Sequence, residues 1–186
     1  QYVQDAIAAS YAAFPCKITL GSGAVLKNFG GMSSVRVTGA AEFEMKGGRI
    51  CDDAGLSCDR LAGAAAGAVW CQGGSVSVGV GSLIDNVTGR AIYMDGGTAA
   101  IDGQIRNITG AGAAWQGTAG TTLHLRNSAQ ARLTANCRID GDAVVSGGGS
   151  GVFVDSGCTL TVDSGAVIKN LPSGTAGISG SGSVDL

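Results

Sequence analysis

The chain has 186 residues, including 33 Gly but only 2 Pro, and 45% of it is hydrophobic. That apolar content is enough to bury a core, which separates the chain from disordered Gly-rich sequences. Charged residues make up 14% and the net charge is -2, so composition gives no electrostatic reason to expect nucleic acid or an anionic membrane as a partner. No apolar run reaches the about 18 residues of a membrane span, and we predict none.

Residues 1–15 are predicted to form a short amphipathic helix that caps the N-terminal end of the fold. Asp5 suits the first turn of such a helix, and Pro15 would end it. An uncovered end of stacked strands can pair with any extended chain, and a helix laid across it prevents this. A helix that belongs to a preceding domain would show the same pattern. The apolar residues at helical spacing are Val3, Ile7, Tyr11 and Phe14.

Residues 16–186 contain short strands of three recurring kinds, separated by Gly pairs or by Asp-Gly. The unit at residues 91–110 shows this best, because Gly96-Gly97 and Asp102-Gly103 separate its three strands and Asn107 follows the third. The first kind of strand is predicted at residues 35–37, 69–71, 92–94 and 152–154. The second kind is predicted at residues 43–45, 76–78, 99–101, 123–125 and 160–162. The third kind is predicted at residues 26–27, 83–85, 105–106 and 168–169.

Side chains alternate between the two faces of a strand, so the apolar members of each run would point inward and the middle residues outward. The predicted fold is all-β, a three-sided parallel β-solenoid of about seven turns stacked roughly 4.8 Å apart. An Asn follows the third strand in four turns, and stacked amides would bond to the turns above and below. This predicted Asn ladder consists of Asn28, Asn86, Asn107 and Asn170. Asn86 and Asn107 also match the Asn-x-Thr acceptor pattern for N-glycosylation.

Two stretches depart from the repeat. Residues 59–67 are an insertion, which reads either as a loop or as a short helix. Residues 127–149 break the register and are expected to hold one short, irregular turn.

Six Cys in a chain poor in charge favour an oxidised, extracellular protein. One candidate disulfide joins Cys51 and Cys58, which bracket a short polar segment. The other joins Cys137 and Cys158, whose separation is about one turn. The alternative is that several Cys are small buried residues with free thiols. The chain has one His and no Cys-x-x-Cys sequence, so we predict no metal site.

The sequences GAVLKN, GSLIDN, GQIRN and GAVIKN, which end four of the units, resemble turns of right-handed, single-stranded parallel β-helix proteins. That superfamily includes pectate-lyase-like proteins, phage tailspikes and bacterial or archaeal adhesins. The resemblance covers about residues 16–186 and implies the fold more than an activity, because function lies in sites added to a fold. Enzymes of the superfamily cleave polysaccharides with acids clustered on one outer face. No such cluster is matched here, so we assign no catalytic residue and expect no cofactor.

The first kind of strand places aromatic residues in its outward position, with polar side chains two residues further on. Flat rings beside amides and carboxylates suit sugar rings, which stack on the former and hydrogen-bond to the latter. An exposed aromatic row also marks interfaces, so a neighbouring subunit or the insertion at residues 59–67 could cover it instead. The candidate binding residues, for a glycan or a subunit, are Trp70, Gln72, Tyr93, Asp95, Trp115, Gln116, Phe153 and Asp155.

Two functions from different classes fit these features. The first is a non-catalytic structural subunit of an extracellular filament, a cell-surface or virion appendage, or an adhesin, which self-associates through its ends and side faces. Residues 173–186 keep strand-like alternation without a polar cap, which motivates end-to-end assembly. The second is a glycan-binding or glycan-cleaving module of a phage tailspike or of a secreted polysaccharide lyase or hydrolase.

Overall fold

The computed structural model describes residues 5–9, 16–27, 33–51, 67–87, 89–108, 121–141, 151–171 and 176–186. Within these ranges the chain forms strands and turns and contains no helix, so this part of the protein is all-β. Accordingly, none of the described segments is a helix that could cross a membrane.

The chain visits three parallel sheets in rotation, so each strand pairs with the strands three places before and after it. One strand from each sheet, in sequence, makes one turn. The first sheet contains β1 (Asp5–Ala9), β4 (Ser33–Thr38), β7 (Val69–Gln72), β10 (Ile92–Asp95), β13 (Leu123–Arg126), β16 (Val152–Val154) and β19 (Ile178–Gly180). The second contains β2 (Lys17–Gly21), β5 (Glu42–Lys46), β8 (Ser75–Val78), β11 (Thr98–Ile101), β14 (Gln130–Leu133), β17 (Thr159–Val162) and β20 (Ser183–Asp185). The third contains β3 (Val25–Lys27), β6 (Arg49–Cys51), β9 (Leu83–Asp85), β12 (Gln104–Arg106), β15 (Arg138–Asp140) and β18 (Val167–Lys169).

The core lies between the three sheets and is built from vertical columns of like side chains. Val76, Ile101, Leu123 and Leu160 are all buried in it, as the alternation predicted. Burying one such side chain contributes about 1.5–3 kcal/mol, so each turn adds its own increment of stability. The third sheet shows the regularity best, because its pairing register stacks Leu26, Ile50, Ile84, Ile105, Ile139 and Ile168. These parallel sheets and columns are the arrangement expected of a three-sided β-solenoid.

Tight corners join the first sheet to the second, and two of them favour Gly for two reasons. Gly74 and Gly97 have φ of 71° and 80°, in the left-handed region that favours glycine. A Cβ on Gly97 would also lie 2.3 Å from the carbonyl oxygen of Gly74, in the turn below. The predicted Gly-Gly punctuation therefore reflects both the sharp bend and the close stacking of successive turns.

The corner that leads from the third sheet back to the first carries the long connections. Cys51 ends β6 and Val69 begins β7, and Arg106 ends β12 and Leu123 begins β13. The predicted insertion at residues 59–67 falls in the first of these connections, and all but its last residue lies outside the described residues. The connections at this corner differ most in length from turn to turn, and each of them leads into a strand of the first sheet.

The predicted N-terminal capping helix is not found. Asp5–Ala9 is strand β1 instead, and it pairs in parallel with β4 so that Ile7 lies opposite Val35 and Ala9 opposite Val37. The spacing of Val3, Ile7, Tyr11 and Phe14 was compatible with a helix, but pairing with the next turn determines the structure here. Residues 1–4 and 10–15 lie outside the described residues.

The sequence-based register is wrong between residues 123 and 141. Leu123–Arg126 belongs to the first sheet, not the second, because Leu123 pairs with Ile92 and with Val152. The second and third strands of this turn are β14 and β15, which are regular and in register with their neighbours. The expected irregular turn at residues 127–149 is therefore an ordinary one up to Gly141, beyond which residues 142–150 are not described.

The proposed Cys137–Cys158 disulfide is also wrong. Cys137 lies in the corner before β15 and Cys158 in the corner before β17, so the two are at different corners of the solenoid cross-section. Both have free thiols and are buried, as is Cys71, and burial raises the pKa of the Cys137 thiol to about 12. Cys51 is buried at the end of β6, and Cys58 lies outside the described residues, so that proposed pair stays a prediction.

Candidate functional site

The outer face of the first sheet brings together the largest group of aromatic and ionisable side chains in the described part of the chain. The register of β4, β7, β10, β13 and β16 stacks one outward residue from each strand, which we call the aromatic column. It consists of Arg36, Trp70, Tyr93, His124 and Phe153. Beside it runs a second column of outward residues, the polar column, made of Thr38, Gln72, Asp95, Arg126 and Asp155.

The aromatic column is not the exposed row that the sequence suggested. Trp70 is 7% exposed, Tyr93 0% and His124 1%, and Phe153 is half-buried. The predicted alignment of Trp70, Tyr93 and Phe153 is correct, whereas their predicted accessibility is not. Trp115 and Gln116 lie outside the described residues.

Arg36 lies at the N-terminal end of this face and contacts two residues of the next turn. Its guanidinium lies 4.6 Å from the centre of the Trp70 ring, and its Nε and Nη2 donate to Gln72 Oε1 at 3.1 and 2.8 Å. Cation–π contact and a double hydrogen bond thus join two successive turns. The indole nitrogen of Trp70 is buried without a hydrogen-bond partner among the described residues.

The middle of the face is a stack of rings flanked by arginines. The His124 ring lies 5.1 Å from that of Tyr93 and 5.2 Å from that of Phe153, which it meets nearly edge-on. The buried Arg90 guanidinium lies 5.1 Å from the Tyr93 ring centre, and Arg126 lies near the Tyr93 hydroxyl. Burial raises the pKa of that hydroxyl, so Tyr93 is neutral at physiological pH.

One carboxylate faces the histidine. His124 Nε2 lies 3.2 Å from Asp155 Oδ2, across one turn of the stack. Burial lowers the pKa of the imidazole and the nearby Arg90 lowers it further, while Asp155 raises it. The net shift is downward because the uncharged ring is the form that this apolar, arginine-flanked position favours.

The two acids that the sequence singled out on this face are not a carboxylate pair. Asp95 and Asp155 are two turns apart, and Arg126 lies between them in the polar column. Asp95 accepts a hydrogen bond from Asn127, and Asp155 faces His124. Sequence reasoning missed Arg126 and the position of His124, because the corner after β13 has Asn127-Ser128 instead of Gly-Gly. Asn127 and Ser128 have positive φ, 53° and 60°, and so make the same bend as a Gly-Gly pair.

The other two faces carry ion pairs that link successive turns. On the third sheet, the buried Asp85 carboxylate accepts from Arg49 at 2.8 and 2.9 Å and from Arg106 at 3.3 Å. On the second sheet, Arg132 pairs with Asp163 at 2.9 Å.

The predicted Asn ladder is joined by one Asn–Asn bond among the described residues. Asn107 Nδ2 donates to Asn86 Oδ1 at 3.2 Å, whereas Asn170 Nδ2 donates to Asp140 Oδ1 at 3.0 Å. Gly141 occupies the equivalent position in the intervening turn, and Asn28 is outside the described residues. All three described Asn have φ near 55°, which adds a conformational reason for Asn at this position.

Within the described ranges, no three His, Cys, Asp or Glu side chains lie close enough together to hold a metal ion. No family model, curated protein or solved structure matches the chain. The class of the protein therefore rests on its own geometry: an all-β chain of three parallel sheets with a buried, charge-flanked aromatic column on one outer face.

Proposed function

We propose that the chain is a non-catalytic structural β-solenoid of the right-handed parallel β-helix type, a rigid subunit of an extracellular filament, surface appendage or adhesin. One observation supports this most directly. In the part of the chain that the structure describes, polar side chains on each of the three faces pair between turns, along the axis of the stack.

The pairs occur at several levels of the described stack. Asp85 joins three successive turns through Arg49 and Arg106, and Lys169 pairs with Asp140 at 3.1 Å. Such contacts add to the backbone ladders of parallel sheets, so neighbouring turns resist sliding past one another. A protein whose task is to transmit load or hold a spacing gains from this arrangement, because side chains as well as the backbone join successive turns.

Self-association is the second part of the proposal. Val184 of β20 stacks on the buried Leu160 but is 41% exposed, because β20 has a neighbour on one side only. A further turn would cover it, whether from another copy or from a continuation of this polypeptide. Open strand edges with apolar columns favour such pairing.

Sedimentation velocity over a wide concentration range, with electron microscopy at neutral pH, tests the assembly. We expect particles that lengthen with concentration, and we expect Val184→Lys to shorten them. Val80→Lys is the matched control, because Val80 is even more exposed but lies in a turn outside the strands. Monomers at every concentration would contradict the filament proposal, and equal effects of both variants would contradict assembly through the strand edge.

A glycan-binding role is the second candidate, and the aromatic column favours it. The column lies on the face that follows the corner with the long connections, and loops carried by a rigid scaffold commonly hold binding residues. Phe153 is the most accessible of its rings. Phe153→Ala should then weaken retention on at least one polysaccharide of a broad panel, while Thr161→Ala on the second sheet should not. Unchanged retention of Phe153→Ala across the panel would remove this candidate.

A further inference from the structure

His124 is the only histidine of the chain, and it lies between Tyr93 and Phe153 in the aromatic column. Histidine is the only side chain whose unperturbed pKa lies between pH 5 and 7.5. His124 is therefore the first group to test for a change in the protein over that range.

The groups packed around the imidazole come from three neighbouring strands and one connection. Tyr93 belongs to β10, Arg126 to β13 itself, and Phe153 belongs to β16, which Asp155 follows. Arg90 approaches from the connection before β10. Two cations and one carboxylate thus lie around the imidazole, with an aromatic ring on either side.

The two signs do not balance for a protonated ring. The ring is 1% exposed, so an imidazolium there loses most of its hydration. Asp155 offsets part of this cost, but its side chain is 32% exposed and its attraction is screened by water. Arg90 and Arg126 add repulsion, and both lower the pKa of His124.

We propose that His124 is an acid-released latch: neutral, it closes the ring stack on the first sheet, and protonated, it opens that stack and exposes Trp70, Tyr93 and Phe153. The release is local, because the core columns lie on the opposite side of the sheet and contain no group that titrates in this range. Acidification thereby converts a closed outer face into an apolar, aromatic surface.

The sign of the pH dependence follows from linkage. An unfolded histidine has a pKa of about 6.5, and the folded value lies below it, so the open or unfolded forms bind the proton more tightly. The closed face is fully stable above about pH 6.5 and loses stability as the pH falls below that value. Carboxylates with ordinary values near 4 begin to titrate only at the lower end of the range.

Two measurements on the intact chain test the latch. NMR of the single imidazole gives its titration midpoint, which we expect below about 6.5. Iodide quenching of Trp70, in a Trp115→Phe background that leaves it as the only Trp, should rise severalfold between pH 7.5 and 5 with the same midpoint. Far-UV circular dichroism should stay constant, because the sheets remain intact.

His124→Gln keeps a neutral donor that can reach Asp155, and it should abolish the rise in quenching. Arg126→Gln should move the imidazole midpoint upward, because it removes one repelling cation, and it provides an independent test if His124→Gln does not fold. Quenching that is flat with pH, that rises equally in His124→Gln, or that rises only together with loss of the circular dichroism signal would overturn the proposal.

Discussion

At the scale of single residues, burial decides which ion pairs contribute to stability. Asp85 is buried between two arginines, whereas Asp163 pairs with an Arg132 side chain that is 62% exposed. Exposed pairs are worth about 0–1 kcal/mol, because water screens them and side-chain entropy opposes them. Hydrogen bonds to a buried charge contribute about 1.5–3 kcal/mol each.

We therefore expect Asp85→Asn to lower the free energy of unfolding by about 2 kcal/mol. Asp163→Asn, which removes the same charge from the surface pair, should change it by less than about 1 kcal/mol. Urea denaturation of both variants at neutral pH measures the difference. Equal losses would mean that the Arg49–Asp85–Arg106 bridge is no stronger than a surface pair.

The alternation in the sequence correctly predicted which side chains point inward. It did not predict whether the outward side chains are exposed. Flanking apolar residues such as Val76 and Ile101 are buried as expected. The outward Tyr93 is buried as well, and it packs against the His124 ring and the Arg90 guanidinium. A period of two tells which face a side chain is on, but it cannot tell whether that face meets water.

At the scale of elements, the corners determine where strands begin, and their chemistry explains both the correct and the wrong register. Gly73-Gly74 and Gly96-Gly97 marked their corners plainly, and β7, β8, β10 and β11 were placed correctly. Asn127-Ser128 makes an equivalent bend without glycine, so β13 was assigned to the wrong sheet. Asn adopts positive φ more readily than most residues, which would have been the signal to look for.

Two corner glycines with the same φ of 80° separate backbone strain from close stacking. Gly157 has open space where a Cβ would go, whereas a Cβ on Gly97 would meet the Gly74 carbonyl oxygen at 2.3 Å. Gly157→Ala should therefore lower the free energy of unfolding by about 1–2 kcal/mol, the cost of a left-handed alanine. Gly97→Ala should lower it further, because two turns must move apart. Thermal and urea denaturation of both variants would show the difference, and equal losses would contradict the close approach.

At the scale of the whole molecule, the strand-to-strand contacts of the described residues run between successive turns. The stability of such a stack is close to a sum of turn and interface contributions. The contacts between turns also explain why the secondary structure of residues 5–9 could not be predicted from those residues alone. Asp5–Ala9 is a strand because β4 provides a partner edge, and a local helical spacing carries no information about that edge.

The same argument predicts a gradient of local stability along the axis. Strand β11 has paired neighbours on both sides, β8 and β14, whereas β20 pairs with β17 alone. Amide hydrogens of β20 should exchange at least about tenfold faster than those of β11, because an outer turn can open without breaking the interfaces between inner turns. Hydrogen exchange followed by NMR resolves the two strands within one sample, and β17 should give an intermediate rate.

Addition of further turns at the C-terminal side, by association at high protein concentration, should slow exchange in β20 and leave β11 unchanged. Equal rates in β11 and β20 would instead mean that the stack opens only as a whole.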